Sequence, residues 1–295
     1  MQTEISPGEL IYYAHELDPV FTDLSIPPIS DVHYGNPLFS KKHFLRTLEF
    51  LKKPNAYSFL NVDLCESNLR TSKGDVFKQV GSPEDQRDQM IEWLYPYRAK
   101  FLGAVDGNHE ARIWESAGIH IVRDIAKALD IPYRSEGLLH KISFGKGNAG
   151  ARINRGDRPW VFWFYHTHGY GGARTKSAKA VKIERLATWI HADLYAMSHD
   201  HVVNVAPDVY FLPDPRTREE KNDKGGLTGF RIGRITAHRK MLVKTNAYLK
   251  WGGYSEFGGF PPTDMATPLI KLLTPKAPYW KDIPDRPKQA VKVIV

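Results

Sequence analysis

Hydrophobic and polar positions along this chain alternate between strand-length apolar runs and stretches with helical spacing. Phe44, Leu45, Leu48 and Leu51 recur on one side of a 3.6-residue period and predict a helix over residues 41–53. The same analysis predicts further helices over 8–16, 82–95, 121–129 and 177–191, strands just before Asp31 and over 57–62, 101–105, 161–165 and 194–197, short β segments through 202–248, and an edge strand or tail over 290–295. Alternation of this kind indicates an α/β fold.

Five clusters of residues with metal-binding side chains follow the predicted strands. They are Asp31-Val32-His33, Asp63 with Glu66, Gly107-Asn108-His109-Glu110, His166-Thr167-His168-Gly169, and His199-Asp200-His201. In open α/β sheets, ligands bind beyond the carboxyl ends of the strands, so clusters far apart in sequence can meet at one edge. Side chains two residues apart on extended backbone share a face, and each such pair can aim two donors at one point.

The donor types predict the class of metal. Carboxylate oxygens and imidazoles suit Mn²⁺, Fe²⁺, Zn²⁺ or Ni²⁺, and Mn²⁺ is our first expectation. The donors are too numerous for one tetrahedral site, so we expect two divalent ions. A closed structural zinc site is not expected, because Cys65 is the single cysteine and several donors are carboxylates.

Two metals a few ångström apart are typical of enzymes that displace groups at phosphorus. A hydroxide held between them would attack, since metal binding lowers the pKa of water from about 15.7 to about 7. Nearby cations stabilise the added negative charge, and a histidine beside the metals can protonate the leaving group. The sequence therefore predicts a metal-dependent phosphoesterase, a hydrolase acting on phosphoric ester bonds.

The order of the motifs resembles that of the calcineurin-like metallophosphoesterase superfamily, in particular its phage and bacterial nuclease-like members. The family carries Asp-x-His, Gly-Asp followed by an acidic residue, Gly-Asn-His-Asp/Glu, His-Gly and Gly-His-x-His. This chain has corresponding motifs between residues 29 and 201, and Gly107-Asn108-His109-Glu110 is the most specific of them. The resemblance implies a β-sandwich of two mixed sheets flanked by helices, in four αββα layers.

The resemblance also implies roles for individual residues. It implies seven metal ligands: Asp31, His33 and His201 for the first ion, Asn108, His168 and His199 for the second, and Asp63 as the bridge. His109 would not bind metal but would stand near the leaving oxygen as proton donor or charge stabiliser, oriented by Glu66. The residues alone leave His166 and His168 open as the ligand from the fourth cluster, and the resemblance favours His168.

Three positions depart from the family pattern. Val62 stands where the family has glycine before the bridging aspartate, and Ser198 stands where it has glycine before the last His-x-His. Neither change removes a ligand. Ser67 occupies the position where the protein-phosphatase branch carries arginine, so a phosphoprotein phosphatase is not expected.

The net charge of +8 is concentrated in one part of the chain. Residues 141–185 contain ten Lys and Arg against two Asp and Glu, and the remainder is balanced. This block predicts a field that attracts a phosphate or a polyanion, with a solvated basic surface as the alternative. Arg174, Lys176 and Lys179 follow the glycine-rich residues 169–172 at a predicted helix start, where they could cradle phosphate. Arg174 and Lys176, with His166, are the candidate substrate contacts.

We therefore expect hydrolysis of phosphodiester bonds, with DNA, RNA or nucleotides as candidate substrates. The alternatives are a phosphomonoesterase, or a catalytically weak metal-binding module that binds nucleic acid or a protein partner. Residues 1–24 are predicted as a lead-in, 25–275 as the metallophosphoesterase domain and 276–295 as a Pro-rich tail. No apolar run approaches the ~20 residues of a membrane span. The amino terminus lacks a secretory signal pattern, so a cytoplasmic location is expected and the oligomeric state is left open.

Overall fold

A computed structural model describes residues 11–72, 74–145, 159–262, 264–280 and 290–295. The described strands are β1 (Tyr12–Leu17), β2 (Asp23–Ile26), β3 (Ser58–Asn61), β4 (Phe101–Val105), β5 (Tyr133–Arg134), β6 (Leu138–Phe144), β7 (Trp160–Thr167), β8 (Leu194–Met197), β9 (Asn204–Lys221), β10 (Leu227–Lys244), β11 (Leu269–Leu273) and β12 (Ala290–Ile294). The described α-helices are α1 (Lys41–Phe50), α2 (Pro83–Leu94), α3 (Asn108–Ala117), α4 (Ile121–Leu129), α5 (Lys176–Leu186) and α6 (Tyr254–Phe257).

The described strands form one six-stranded sheet and two three-stranded sheets. The large sheet has the order β1-β6-β7-β8-β10-β9, and the small sheets have the orders β12-β11-β2 and β3-β4-β5. Isolated bridges from Ser25 to Ala56 and from Ile29 to Leu60 join the small sheets side by side. Strands β7, β8 and β10 are parallel neighbours, as are β3 and β4, so several carboxyl ends reach a common edge.

Buried apolar side chains pack in three main groups. One group lies between the large sheet and the small sheets and includes Phe59, Leu102, Phe162 and Ile270. A second group packs helices α1, α2 and α4 against β3 and β4. A third packs α5 against β7 and β8. The protein is therefore a mixed α/β molecule with several sheets and helices, which confirms the predicted fold class in its coarse form.

Helices with strong local signals lie where the sequence predicted them. The Ser82 hydroxyl accepts a bond from the Asp85 amide, and the Asp85 carboxylate accepts one from the Ser82 amide, so α2 begins with a reciprocal cap. Helix α4 buries Ile121, Val122 and Ile125 on one stripe. The capping residues of α2 and the apolar stripe of α4 lie within the helices or next to them, so the sequence alone predicts both helices.

Several predictions of elements were wrong. The helix over 8–16 is instead the strand β1, whose side chains alternate in exposure and which pairs in parallel with β6; residues 1–10 lie outside the described residues. The short β segments of 202–248 form one long hairpin, β9 and β10. Helix α5 ends at Leu186 rather than near residue 191, and α3 was not predicted. Residues 290–295, left open as edge strand or tail, include the strand β12.

The predicted domain boundaries stay a prediction. Strand β1 lies in the predicted lead-in and belongs to the large sheet, and β12 lies in the predicted tail and pairs with β11. Residues 281–289 of that tail lie outside the described residues. Within the described part of the chain, no helix is long and apolar enough to cross a membrane.

Candidate metal centre

The five clusters come together at the carboxyl ends of the strands. Asp63 follows β3 by two residues, Asn108 follows β4 by three, His168 comes directly after β7, and His199 follows β8 by two. Asp31 joins them because its amide donates to the Val62 carbonyl at 3.0 Å, beside Asp63. Parallel strands thus bring donors from distant parts of the sequence to one edge.

The first group of donors consists of Asp31, His33 and His201. His201 Nε2 lies 3.3 Å from Asp31 Oδ1 and 3.2 Å from His33 Nε2. Their ligand atoms all lie within 4.8 Å of one another. Two imidazole nitrogens and a carboxylate oxygen that converge in this way can share one cation.

The second group surrounds the other side of Asp63. His168 Nε2 lies 3.2 Å from Asp63 Oδ2, 3.2 Å from His199 Nδ1 and 3.1 Å from Asn108 Oδ1. Asp63 Oδ2 is also 3.9 Å from His33 Nε2 in the first group. Asp63 therefore stands between the two groups, and His33, Asp63 and His109 form a third close set.

The backbone is strained at five of these residues. Among the described residues other than glycine, positive φ angles occur at Asp31 (48°), His33 (50°), Asp63 (60°), His199 (69°), His201 (51°), Ser67 and Asp130. L-residues rarely adopt this conformation, which costs of order 1–3 kcal/mol at each position unless the surroundings enforce it. Apart from glycine, this conformation occurs mostly at carboxylate and imidazole residues whose side chains face one another. Such a distribution indicates a site built for a function rather than for stability.

The electrostatics of the groups favour cations between the side chains. Burial opposes the charged form of His33, but the hydrogen bond that it donates to Glu66 and the charges of Glu66, Asp63 and Asp31 raise its pKa to about 9. The pKa of His168 rises to about 10, because Asp63 and Asp31 outweigh the cost of burial. Burial opposes the charged form of Asp63 too, yet the surrounding histidines hold its pKa well below the usual range. A divalent ion can take the place of these protons.

His109 is held by the main chain of Glu66. Its Nδ1 lies 2.7 Å from the Glu66 carbonyl oxygen and must donate to it, so Nε2, 4.0 Å from Asp63 Oδ2, is the nitrogen that faces the cluster. The Glu66 carboxylate lies closer to His33 Nδ1, at 3.1 Å, than to His109 Nδ1, at 3.9 Å. Burial lowers the pKa of His109 to about 4, against the opposing charge of Asp63.

His166 does not join the cluster. It is fully buried in a chain of three histidines: its Nδ1 lies 3.1 Å from Asn61 Oδ1, its Nε2 lies 3.0 Å from His140 Nε2, and His140 Nδ1 lies 3.0 Å from His15 Nε2. The Asn61 amide nitrogen donates to the Thr167 carbonyl, so its oxygen accepts from His166. Of the two candidates from the fourth cluster, His168 is therefore the one that faces Asp63.

The other predicted substrate contacts are exposed and follow a loop that contacts the site. The Gly171 carbonyl oxygen is 2.6 Å from His199 Nε2, and Arg174 comes three residues after Gly171. Arg174 is exposed, and its guanidinium stands 5.5 Å from the ring centre of Phe260. Lys176 is exposed at the first turn of α5. Residues 146–158 of the basic block lie outside the described residues.

The sequence did not indicate the contacts made by two residues near the predicted ligands, Asn61 and Glu110. The Asn61 carbonyl oxygen lies 3.3 Å from His168 Nδ1 and accepts from the Ser198 hydroxyl at 2.7 Å, so Ser198 has a use that glycine could not supply. Glu110 Oε1 accepts from the Cys65 amide at 2.8 Å, and burial raises the Glu110 pKa to about 8. The one signal for Glu110 was its place in the Gly-Asn-His-Glu motif.

A third such residue is Asp200, between the predicted ligands His199 and His201. Its carboxylate is 2% exposed and contacts the ammonium groups of Lys182 and Lys244, and its carbonyl oxygen accepts from Lys179 at 2.9 Å. Burial lowers the pKa of Lys179 and of Lys244, and in both cases the charge of Asp200 opposes that shift. Lys179 and Lys182 of the predicted basic block thus point inward, and Lys179 is not exposed beside the glycine-rich loop where it was expected to cradle phosphate.

Comparisons with known proteins add little to this geometry. No protein-family model matches the chain, and no curated protein matches it. Among solved structures, the chain is similar to a conserved uncharacterized protein, a predicted phosphoesterase, from Streptococcus pneumoniae TIGR4. That similarity has 11% sequence identity and a TM-score of 0.34, and it covers 93% of this chain and 98% of that chain. A TM-score this low supports no conclusion about function, which must come from the site itself.

Proposed function

We propose that this protein is a phosphoesterase that depends on two divalent metal ions. The observation that carries the proposal is the pair of donor groups that share Asp63, with His33 and His201 on one side and His168 and His199 on the other. Asp31 would complete the first set and Asn108 the second. Oxygen and imidazole donors of this kind fit Mn²⁺, and Fe, Zn and Ni are alternatives.

When bound, two such ions polarise a phosphoryl oxygen and activate water for attack at phosphorus. The chain's own residues prepare the site for this chemistry. Asp63 would supply a carboxylate to both ions, and its negative charge would reduce their mutual repulsion. Glu66 accepts a hydrogen bond from His33 Nδ1, so His33 Nε2 is directed into the cluster and its lone pair would be available to a metal ion. The Asn61 carbonyl fixes His168 in the same way.

His109 is the residue proposed to act on the leaving group. Because Nδ1 donates to the Glu66 carbonyl, Nε2 faces the cluster in a fixed orientation. Its pKa of about 4 makes it neutral near pH 7 in the metal-free protein. A bound phosphate anion would raise that pKa, and the protonated ring could then stabilise negative charge or donate a proton from Nε2 to the departing oxygen.

We propose a phosphodiester as the substrate, with DNA, RNA or a nucleotide diester as candidates. Arg174 and Lys176 support this assignment, since both are exposed near the loop that contacts His199. Cationic side chains at an open border suit an extended anion. A polyanionic substrate predicts affinity that falls steeply with salt, through release of condensed counterions.

We also propose that the layers follow the αββα arrangement expected of calcineurin-like metallophosphoesterases. The three groups of packed apolar side chains support it: one lies between the sheets, and one lies under helices on each outer side. Sheets that pack face to face with helices outside bury both faces of their strands.

The direct test is hydrolysis of an aryl phosphodiester and of the matching monoester, with Mn²⁺ and with a chelator. The proposal predicts diester cleavage that the chelator abolishes and that added Mn²⁺ restores. Faster cleavage of the monoester would favour a phosphomonoesterase. Metal binding without turnover of either ester, or of DNA and RNA, would contradict the proposal and favour a metal-binding module.

A further inference from the structure

Three lysines converge on Asp200 directly behind the metal-binding turn. Asp200 Oδ1 lies 2.7 Å from Lys182 Nζ, Oδ2 contacts Lys244 Nζ, and the Asp200 carbonyl accepts from Lys179 Nζ. The side chain of Lys244 is fully buried, that of Lys182 is 12% exposed, and Lys179 as a whole residue is 4% exposed. We name these four residues the Asp200 clamp.

The clamp ties two elements of the fold, α5 and β10, to one turn. Lys179 and Lys182 lie one helical turn apart on α5, so they share a face of that helix. Lys244 is the last residue of β10 and pairs with Met197, the last residue of β8. The turn that follows β8 is tight, since the Asp200 amide donates to the Ser198 carbonyl at 2.8 Å.

The clamped turn carries two strained ligands. His199 and His201 have φ angles of 69° and 51°, on either side of Asp200. Such conformations persist only where surrounding contacts enforce them. Buried ion pairs contribute little net stability, because desolvation offsets their attraction. Two cations on the buried Asp200 carboxylate and a third on its carbonyl oxygen are therefore better explained by a need to hold this turn than by a need to stabilise the fold.

We propose that Asp200, Lys179, Lys182 and Lys244 are positioning residues that hold His199 and His201 in the conformation required for metal binding. The inference rests on the proposed two-metal function. None of the four clamp residues is among the proposed metal ligands or substrate contacts. Lys182 also reaches the Gly171 carbonyl at 3.4 Å, the same oxygen that lies 2.6 Å from His199 Nε2, so it fixes the orientation of that ring as well.

The test is Mn²⁺ binding by isothermal titration calorimetry on the full chain, together with the melting temperature in chelator. Lys182→Met removes one cation at a partly exposed position, and Asp200→Asn keeps the shape but removes the charge. We expect Mn²⁺ affinity to fall about 10–100-fold in both, as for other partners that orient metal ligands. Lys182→Arg, which retains the charge and the donors, should restore most of the affinity.

Lys240→Met is the matched control. The Lys240 side chain is also 12% exposed and also pairs with an aspartate, Asp208, but on a part of β10 away from the turn. It should lose no more than twofold in Mn²⁺ affinity. If Asp200→Asn does not fold, Lys182→Met and Lys182→Arg carry the test.

The outcomes separate this inference from the proposed function. The inference is overturned if the parent protein binds two Mn²⁺ ions and Lys182→Met binds them with the same affinity. The clamp would then serve stability only, whatever the change in melting temperature. Loss of affinity equal to that of Lys240→Met overturns it as well. If the parent protein itself binds no divalent metal, both the proposed function and the inference fail.

Discussion

Two groups of buried histidines lie close together in this protein and behave in opposite ways. In the metal cluster, His33 and His168 face Asp31, Asp63 and Glu66, and their pKa values rise to about 9 and about 10. In the chain of His15, His140 and His166, burial lowers the pKa of each: that of His15 is about 4 and that of His166 about 3.

The difference comes from the partners and not from burial. The histidine chain ends on the neutral amide of Asn61 and has histidines as its other bonded partners, so its rings are neutral and hold one another by directed hydrogen bonds. The cluster histidines meet carboxylates and attract positive charge. Only the histidines of the metal cluster can exchange protons for divalent ions near neutral pH.

The largest effect is expected from removing the carboxylate that the two donor groups share. Asp63→Asn should reduce metal affinity and diester cleavage by more than the roughly 10–100-fold that loss of an outer partner costs. Mn²⁺ titration and steady-state kinetics measure both quantities. Asp130→Asn is the matched control, because Asp130 also has positive φ, at 54°, but stands at the end of α4. Retention of two bound ions in Asp63→Asn would contradict the shared position.

A smaller loss is expected when His109 is changed without changing the ligands. His109→Gln should lower the rate of diester cleavage by about 10²–10⁴-fold, the usual range for acid–base residues, and leave Mn²⁺ binding intact. The loss should shrink for esters whose leaving group is a weak base. His120→Gln, at a ring stacked on Trp114, is the control. An equal loss for all leaving groups would argue against a role at the departing oxygen.

The raised pKa values predict how metal binding depends on pH. Between the ordinary histidine value of 6.5 and about 9, the folded metal-free protein binds more protons at His33 and His168 than the unfolded chain does. That contribution to stability is complete below 6.5 and is lost as pH rises through the folded values. Because Mn²⁺ must displace these protons, the rise in melting temperature on adding Mn²⁺ should be larger at about pH 8.5 than at about pH 6. An equal or reversed difference would contradict the assignment.

The histidine chain predicts the opposite slope on the acidic side. With the pKa of His15 lowered to about 4, the unfolded chain binds more protons below 6.5, so the free energy of unfolding falls as pH drops from 6.5 toward 4. His15→Gln keeps a donor for His140 Nδ1 and cannot titrate. When the pH is lowered from 6.5 to about 5, its free energy of unfolding should fall by about 1 kcal/mol less than that of the parent protein. Urea titrations in the presence of a chelator measure this difference.

His191→Gln, at an exposed histidine that bonds Tyr210, should follow the parent slope. If His15→Gln and the parent lose the same stability on acidification, the neutral state of the histidine chain is wrong.

The sequence predicted correctly those elements whose formation depends mainly on residues close together in the chain. Strands β4 and β8 and helix α4 were placed residue for residue, because short apolar runs and a 3.6-residue stripe carry their own information. Strand β1 was misjudged as a helix, since its alternating exposure exists only once β6 lies beside it. Helix α3 was not predicted, because it starts inside the Gly-Asn-His-Glu motif and those residues were interpreted only as candidate functional side chains.

At the site, the order of motifs predicted the candidate donors, whereas the residues packed around them could be identified only from the structure. Nothing in the sequence indicated that Lys179 and Lys182 turn inward to Asp200, because charge runs usually lie in solvent. Nor could spacing separate His166 from His168, which lie two residues apart on backbone that presents both to one side. Contacts with Asn61 and Asp63 distinguish them.

Anomalous diffraction from crystals grown with Mn²⁺ would show whether two metal ions share Asp63. We expect two peaks about 3.5–4 Å apart, both within bonding distance of the Asp63 carboxylate. One peak should be bound by His33 and His201, and the other by His168 and His199. A single ion, or two ions of which one does not touch Asp63, would contradict this expectation.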